Sequence, residues 1–234
     1  MMRAVLCILL LGLGLCLAAA DEVILEMKQP DHLEPISPES DRMLIAYNLE
    51  VQARLKLWHW DYLRMVVRPS FRPEYTVKML PYHSEELAPA DRYPKVHLEY
   101  SVVDKNIWYA GPGMNHDHPQ QDVAVTTITV EFPQTVAERV LKVWRRMLLR
   151  TRWEEGFDLG NDGTTYFFAL GGMCGETWSP QKRQSPKLLV ELGHSLIDYC
   201  KANPLDREAA QRAILEKADA LEKYLNEHAQ KPAE

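Results

Sequence analysis

After its first twenty residues the chain contains no long hydrophobic run, and it has few cysteines, little glycine and no excess of positive charge. Without a further apolar stretch of about 20 residues, the body of the chain has no segment to cross a bilayer as a helix, and a soluble mature protein is expected. Only 11 glycines in 234 residues, with no repeat and no low-complexity tract, exclude collagen. A composition of 46% hydrophobic, 26% charged and 9% aromatic residues excludes a disordered tail and a coiled-coil rod. Acidic residues outnumber basic ones, 33 to 27, which argues against nucleic acid as a partner.

What is present at the N-terminus is an export signal. Arg3 supplies a positive start, Ala4 to Leu17 is unbroken apolar sequence, and Ala18-Ala19-Ala20 forms a small-residue exit before Asp21-Glu22. The run is short for a membrane span. Residues 1–20 are therefore expected to be a signal peptide cleaved between Ala20 and Asp21, with no stable membrane anchor left and a periplasmic or secreted destination. Cleavage removes one basic residue, leaving 26 against 33 acids, a net charge of −7. Two of the four cysteines also leave. Cys174 and Cys200 remain, and in an oxidising compartment they are expected to pair as a disulfide.

Residues 21–40 read as irregular, broken by Pro30, Pro35 and Pro38, with Ser37-Pro38-Glu39 as a helix start. Asp41 to Val67 carries two patterns. A helical stripe runs Leu44, Asn48, Val51, Leu55, Trp58, Tyr62 and Met65, whereas strict alternation runs from Met43 to Leu57. Composition favours a helix, with a strand over 49–60 as the alternative. Five prolines make 68–95 an irregular connection with a short strand at 75–80. Val96, Leu98, Tyr100 and Val102 alternate as a strand, and Ile107-Trp108-Tyr109 returns after a turn. The Val-, Thr- and Ile-rich segment 122–132 is a further strand. Thr135 and Glu138 read as a capping box opening a helix to about Arg150, with Val136, Val140, Val143, Trp144 and Met147 as its buried stripe. A strand over 164–170 precedes a glycine-rich connection at 171–175. Ser185-Pro186 opens a helix to about Ala202, and a last helix spans roughly 205–228. The sum is an α+β protein, with a small antiparallel or mixed sheet, helices packed on one face and a C-terminal helical pair. A single domain over 41–202 is expected, with 203–234 packed on it or on a partner.

Four constellations are chemical candidates. Met114, His116 and His118 lie in a Gly/Pro/Asn loop and offer copper or zinc donors. Local ligands fall short of the three or four that a zinc site needs, so a solvated loop is preferred and no cofactor is expected. Cys174 with His194 and Asp198 would make a thiol hydrolase, since His194 and Asp198 share a helix face. Pairing of Cys174 with Cys200 would disable it. Arg139, Lys142, Arg146 and Arg150 form a basic helix face that would bind an acidic partner, or would instead pair with acids of neighbouring helices such as Glu216 and Glu222. Six tryptophans, including Trp58, Trp60 and Trp108, offer platforms for sugars or small ligands, although core filling is their commoner role.

Asp162-Gly163-Thr164-Thr165-Tyr166, followed by Gly175-Glu176-Thr177-Trp178-Ser179-Pro180 and a Leu-rich helix, resembles a group of small bacterial exported proteins over about residues 135–202. The resemblance brings no activity with it, and Glu176 is the residue in it that no turn or stop explains. The reading is an exported binding or interaction protein of the bacterial envelope, whose partner is another envelope protein or a small ligand. Catalysis by Cys174, and metal binding by the His-x-His loop, stand as alternatives.

Overall fold

The computed structural model describes residues 30–36, 41–57, 63–82, 95–110, 121–153 and 162–228. Six antiparallel strands form one open sheet. They are β1 (Leu63–Pro69), β2 (Tyr75–Tyr82), β3 (Lys95–Val103), β4 (Val125–Phe132), β5 (Thr164–Leu170) and β6 (Met173–Trp178), in the order β4-β3-β2-β1-β5-β6. The helices are α1 (Arg42–Arg54), the single turn α2 (Ile107–Ala110), α3 (Gln134–Leu148), α4 (Ser185–Lys201) and α5 (Arg207–Glu227). The expected α+β class and C-terminal helical pair are both seen.

Period-two alternation divides the sheet into two unlike faces. One face presents Leu63, Met65 and Val67 of β1, Val77 and Met79 of β2, Leu98 of β3, Phe132 of β4 and Phe168 of β5. α3, α4 and α5 close over it with Val140, Trp144, Leu189, Leu196, Ile214 and Leu221, forming the main core. α4 lies so close to β1 that a Cβ at Gly193 would come within 2.7 Å of Met65 Cε and overlap its sulfur. Four residues of α5, Ile214, Ala218, Leu221 and Leu225, are buried in this core, so the C-terminal helix is part of the domain. Asp31 joins the two helices of the pair. Its Oδ1 accepts from the backbone N–H of Ser185 at the start of α4 (2.7 Å), and its Oδ2 accepts from Tyr224 Oη of α5 (2.9 Å). The segment expected to be irregular is therefore tied in, with Leu33 fully buried and Glu34 bridged to Glu176 on the edge of β6.

The second face carries Arg64, Arg68, Thr76, Lys78, Glu99 and Ser101, with Val66 and Phe167 as apolar members. α1 and α2 cover part of it through a smaller cluster of Tyr47, Val51, Leu55, Leu57, Val103 and Ile107. Helices thus occupy both faces rather than the single face expected. Several buried polar groups on this face have partners. Lys78 is 1% exposed and opposes Glu99, with Nζ–Oε1 at 2.6 Å. Thr76 Oγ1 donates to the Met65 carbonyl at 2.9 Å.

Several boundaries differ from the sequence reading. The helix over 41–67 ends at Arg54, and β1 follows from Leu63, outside the proposed alternative strand at 49–60. Leu63, Met65 and Val67 are held by hydrogen bonding to β2 and β5 and by burial under α4, and this overrides the helical stripe. Ser37-Pro38-Glu39 lies outside the described residues, apart from α1's observed cap at Asp41, whose carboxylate accepts from Met43 N and Leu44 N. The short strand expected at 75–80 within 68–95 is present as β2, which runs to Tyr82 and lies inside the sheet between β1 and β3. Ile107-Trp108-Tyr109 forms a helical turn rather than a strand. The capping box at Thr135 is not formed. Pro133 is the N-cap without a side-chain bond, and Gln134 Nε2 instead donates to Glu138 Oε1 at 3.0 Å. The connection at 171–175 is a tight hairpin, with Gly171 at φ +58° and β6 beginning at Met173.

Candidate functional site

A cleft opens between α1 and the strands β1 and β5. Arg68 lies at its centre and lines two lobes. The guanidinium stacks on the Phe167 ring at 3.7 Å and donates to Asn48 Oδ1 of α1. Tyr47 lies on the other side, its centroid 5.5 Å from the same guanidinium. One lobe, about 210 Å³, is bordered by Gln52, Leu57, Arg64, Ala169 and Cys174. The other, about 340 Å³, is bordered by Phe71, Trp108, Tyr109, Asp162 and Thr165.

Four segments meet at the larger lobe, and polar side chains fix them to one another. Glu74 is fully buried. Its Oε1 accepts from Tyr47 Oη of α1 and its Oε2 from the backbone N–H of Ile107 at the start of α2, each at 2.8 Å. Loss of hydration pushes its carboxyl above the ordinary range, against the pull of those donors. Burial, and then the Glu74 charge, push the Tyr47 phenol up strongly. Asn106 Nδ2 donates to the Arg72 carbonyl at 2.7 Å and to that of Pro69 at 3.3 Å, joining α2 to the β1–β2 turn that carries Phe71. Ser70 of the same turn exchanges bonds with Gly163, accepting from its N–H at 3.0 Å and donating to its carbonyl at 2.9 Å. This places Asp162 beside the lobe. The rings themselves remain open, Phe71 67% and Tyr109 46% exposed. Trp108 meets Tyr47 edge-on at 5.3 Å.

The sequence candidates are placed as follows. Cys174 and Cys200 are both free thiols, so the expected disulfide is not formed. Cys174 is exposed on the α1 face of β6, whereas Cys200 is buried in the core on the opposite face. The sheet lies between them, and they do not meet at the Cα spacing of about 4.4–6.8 Å that a bridge needs. Burial pushes the Cys200 thiol up to about 12, offset in part by Arg207 and Lys201.

The same sheet separates Cys174 from His194. His194 faces the helical side, its Nε2 3.1 Å from Tyr75 Oη and its ring 6.0 Å from Tyr166. Desolvation, and then Lys187, lower its pKa, while Asp198 raises it from an exposed position. The structure therefore does not assemble Cys174, His194 and Asp198.

The basic face of α3 is taken up by α5. Arg139 pairs with Asp219 and Glu222, both at 2.5 Å. Lys142 and Arg146 reach Glu222 at 3.2 and 3.3 Å, and Arg150 donates to the His228 carbonyl. Met114, His116 and His118 lie outside the described residues, and so do Trp58 and Trp60. Among the described residues no group of three metal-ligating side chains occurs. Trp144 is core, edge-on to Phe168 at 5.4 Å. Sequence reasoning missed Phe71, Glu74, Asn106 and Tyr109. Glu74 acts on partners 27 and 33 positions away, and no local pattern carries that information.

Comparison of the chain with protein-family models, with curated proteins and with solved structures finds no match.

Proposed function

We propose that the chain is an exported binding protein of the bacterial envelope that takes a small ligand on its α1 face, acting by binding rather than catalysis. One observation carries this reading. Of the ten large apolar side chains exposed among the described residues, three (Ile36, Phe71 and Tyr109) border the cleft. Apolar side chains left exposed at the rim of a concave site with convergent polar groups are the usual signature of a ligand surface. The basic face of α3, the rival surface, is occupied by α5. Export is supported by the charged, apolar and small-residue order of residues 1–20.

The test is a thermal-shift screen of the mature chain, exported by cells, against a small-molecule library. The intact mass of that chain, beginning at Asp21, checks the cleavage site. Ligands that stabilise the protein are expected to lose their effect when Ala169→Phe fills the smaller lobe or Phe71→Ala opens the larger. They are expected to keep it in Lys217→Ala, a substitution in α5 beyond the opposite face of the sheet. Hits that ignore both cleft variants would refute the reading.

A further inference from the structure

We propose that the larger lobe binds the ring of a neutral saccharide, an assignment that rests on the cleft being the binding site. The argument begins with how the aromatic rings are held. Phe71 belongs to the β1–β2 turn, while Trp108 and Tyr109 belong to α2. Asn106 bonds that turn directly to the start of α2. Glu74, fully buried, is committed to Tyr47 and to the first N–H of α2. Burying a carboxylate to hold a one-turn helix contributes little to folding, since loss of hydration offsets what the bonds give. It does fix rings that stay in water. The exposed rings of Phe71 and Tyr109, with partly buried Trp108 between the cavity and Tyr47, border a cavity of about 340 Å³ and offer flat apolar faces of the kind that C–H faces of a pyranose cover.

Polar groups narrow the class further. Asp162 is exposed at the rim and forms no hydrogen bond or ion pair among the described residues, so both its oxygens can accept from hydroxyls. Thr165 adds a hydroxyl on the same wall. The described lining carries one charge of each sign, Asp162 at the rim and Arg68 in the floor, held there by Phe167 and Asn48. With no net charge to favour an ion of either sign, the lobe suits a neutral ligand rich in hydroxyls, which uses both the rings and the acid.

The experiment titrates the mature chain with methyl glycosides and disaccharides of glucose, galactose and N-acetylglucosamine. Tryptophan fluorescence and ligand-observed NMR follow binding, with choline and acetate as charged competitors. At least one sugar is expected to saturate. Its affinity should fall at least about tenfold in Phe71→Ala and in Asp162→Asn, a loss of about 1.4 kcal/mol each, while Lys217→Ala leaves it unchanged. Phe71 and Asp162 are exposed, and unchanged circular dichroism and melting temperature confirm that these variants fold. Saturation by no sugar at about 50 mM, where a contact worth even 2 kcal/mol is measurable, overturns the assignment. So does sugar binding that survives both variants, or displacement by choline or acetate. If cleft-sensitive library ligands exist while no sugar binds, the saccharide class fails and the binding face stands. If neither is found, both fail.

Discussion

Reversing one charge, Arg139→Glu, decides whether the basic face of α3 is architecture or a binding surface. Arg139 bonds to Asp219 and Glu222 of α5 at 2.5 Å, and these two bonds raise its own pKa. Asp219 is 65% exposed and Glu222 17%, so the two pairs differ in solvent screening. Partly exposed pairs contribute about 0.2–1 kcal/mol, which puts the lost attraction at about 1 kcal/mol in total. The new carboxylate would face both acids and add repulsion of similar size, for a total cost of about 2 kcal/mol. In a domain of this length, that lowers the melting temperature by about 4–8 °C. Urea unfolding followed by circular dichroism measures the change. Two further observations fix its origin. The loss should shrink in 1 M salt, where the Debye length is about 3 Å. The double variant Arg139→Glu/Asp219→Arg should also recover part of it, because Asp219 makes its ion pair with Arg139 alone among the described residues. A variant as stable as the parent, with no recovery from the second change, would refute the structural role and return the face to candidacy as a docking surface.

Acid should loosen the same interface. Hydrogen bonds from Arg139 and then Lys142 hold the Glu222 carboxyl down to about 2, from an ordinary 4.5. Its folded value lies below its unfolded one, so its contribution is fully present above about pH 4.5 and is lost as pH falls towards 2. Stability measured against pH should be flatter across that window in Glu222→Gln. Gly193→Ala gains about 1 kcal/mol in helix propensity but forces overlap with the end of the buried Met65 side chain, at about 1–3 kcal/mol, for a net loss of about 0–2 kcal/mol. Combined with Met65→Ala, the loss should be smaller than the sum of the singles, as a double-mutant cycle in urea would show. A colorimetric thiol reagent should titrate one cysteine quickly in the native mature chain, exposed Cys174, and Cys200 only after unfolding. No reactive thiol in either state would mean that a disulfide forms after all.

The helical face of the sheet was legible because its signals are local. Val136, Val140, Val143, Trp144 and Met147 repeat at helical spacing, and all five are buried. Val96, Leu98 and Tyr100 alternate, and they point into that same core. The pairing of the α3 cations with Glu222 was among the readings open from sequence, because an acidic C-terminal helix was visible beside a basic one. Legibility failed where a distant contact decides the local state. Met65 closes the helical stripe read from sequence, yet pairing with β2 and β5 and burial under α4 at Gly193 make it a strand residue. Ile107-Trp108-Tyr109 suits a strand by composition, yet the Glu74 carboxylate accepts the first N–H and a helical turn results. Proximity in a list of reactive residues also misled. Cys174, His194 and Asp198 look like a set in sequence, but strand alternation sends Cys174 to one face while His194 lies against Tyr75 on the other.

The unlike faces of the sheet are the strongest physical reason to look for function on the α1 side. Alternation in β2 and β3 places Thr76, Lys78 and Ser101 on that face, where solvent is the least costly environment. The protein covers them instead, with Lys78 1% exposed and Glu74 fully buried. Covering charge costs several kcal/mol per ion before partners offset it, and pairs buried in this way are weak contributors to stability. A cover selected for stability alone would place apolar side chains there and close the gaps, as α3, α4 and α5 do on the far side. α1 does neither. It leaves Leu49 54% exposed on its outer surface and a two-lobed cleft beneath. The buried polar groups on this side do something that apolar packing does not. Glu74 and Asn106 set the turns that carry Phe71, Trp108 and Tyr109 at fixed positions, and Arg68 keeps α1 in register with β5 through Asn48 and Phe167. Directional bonds hold a shape, whereas apolar contact fills a volume. A face that maintains a shape at a cost to stability, while its partner face supplies the packing, is what the proposed binding role requires.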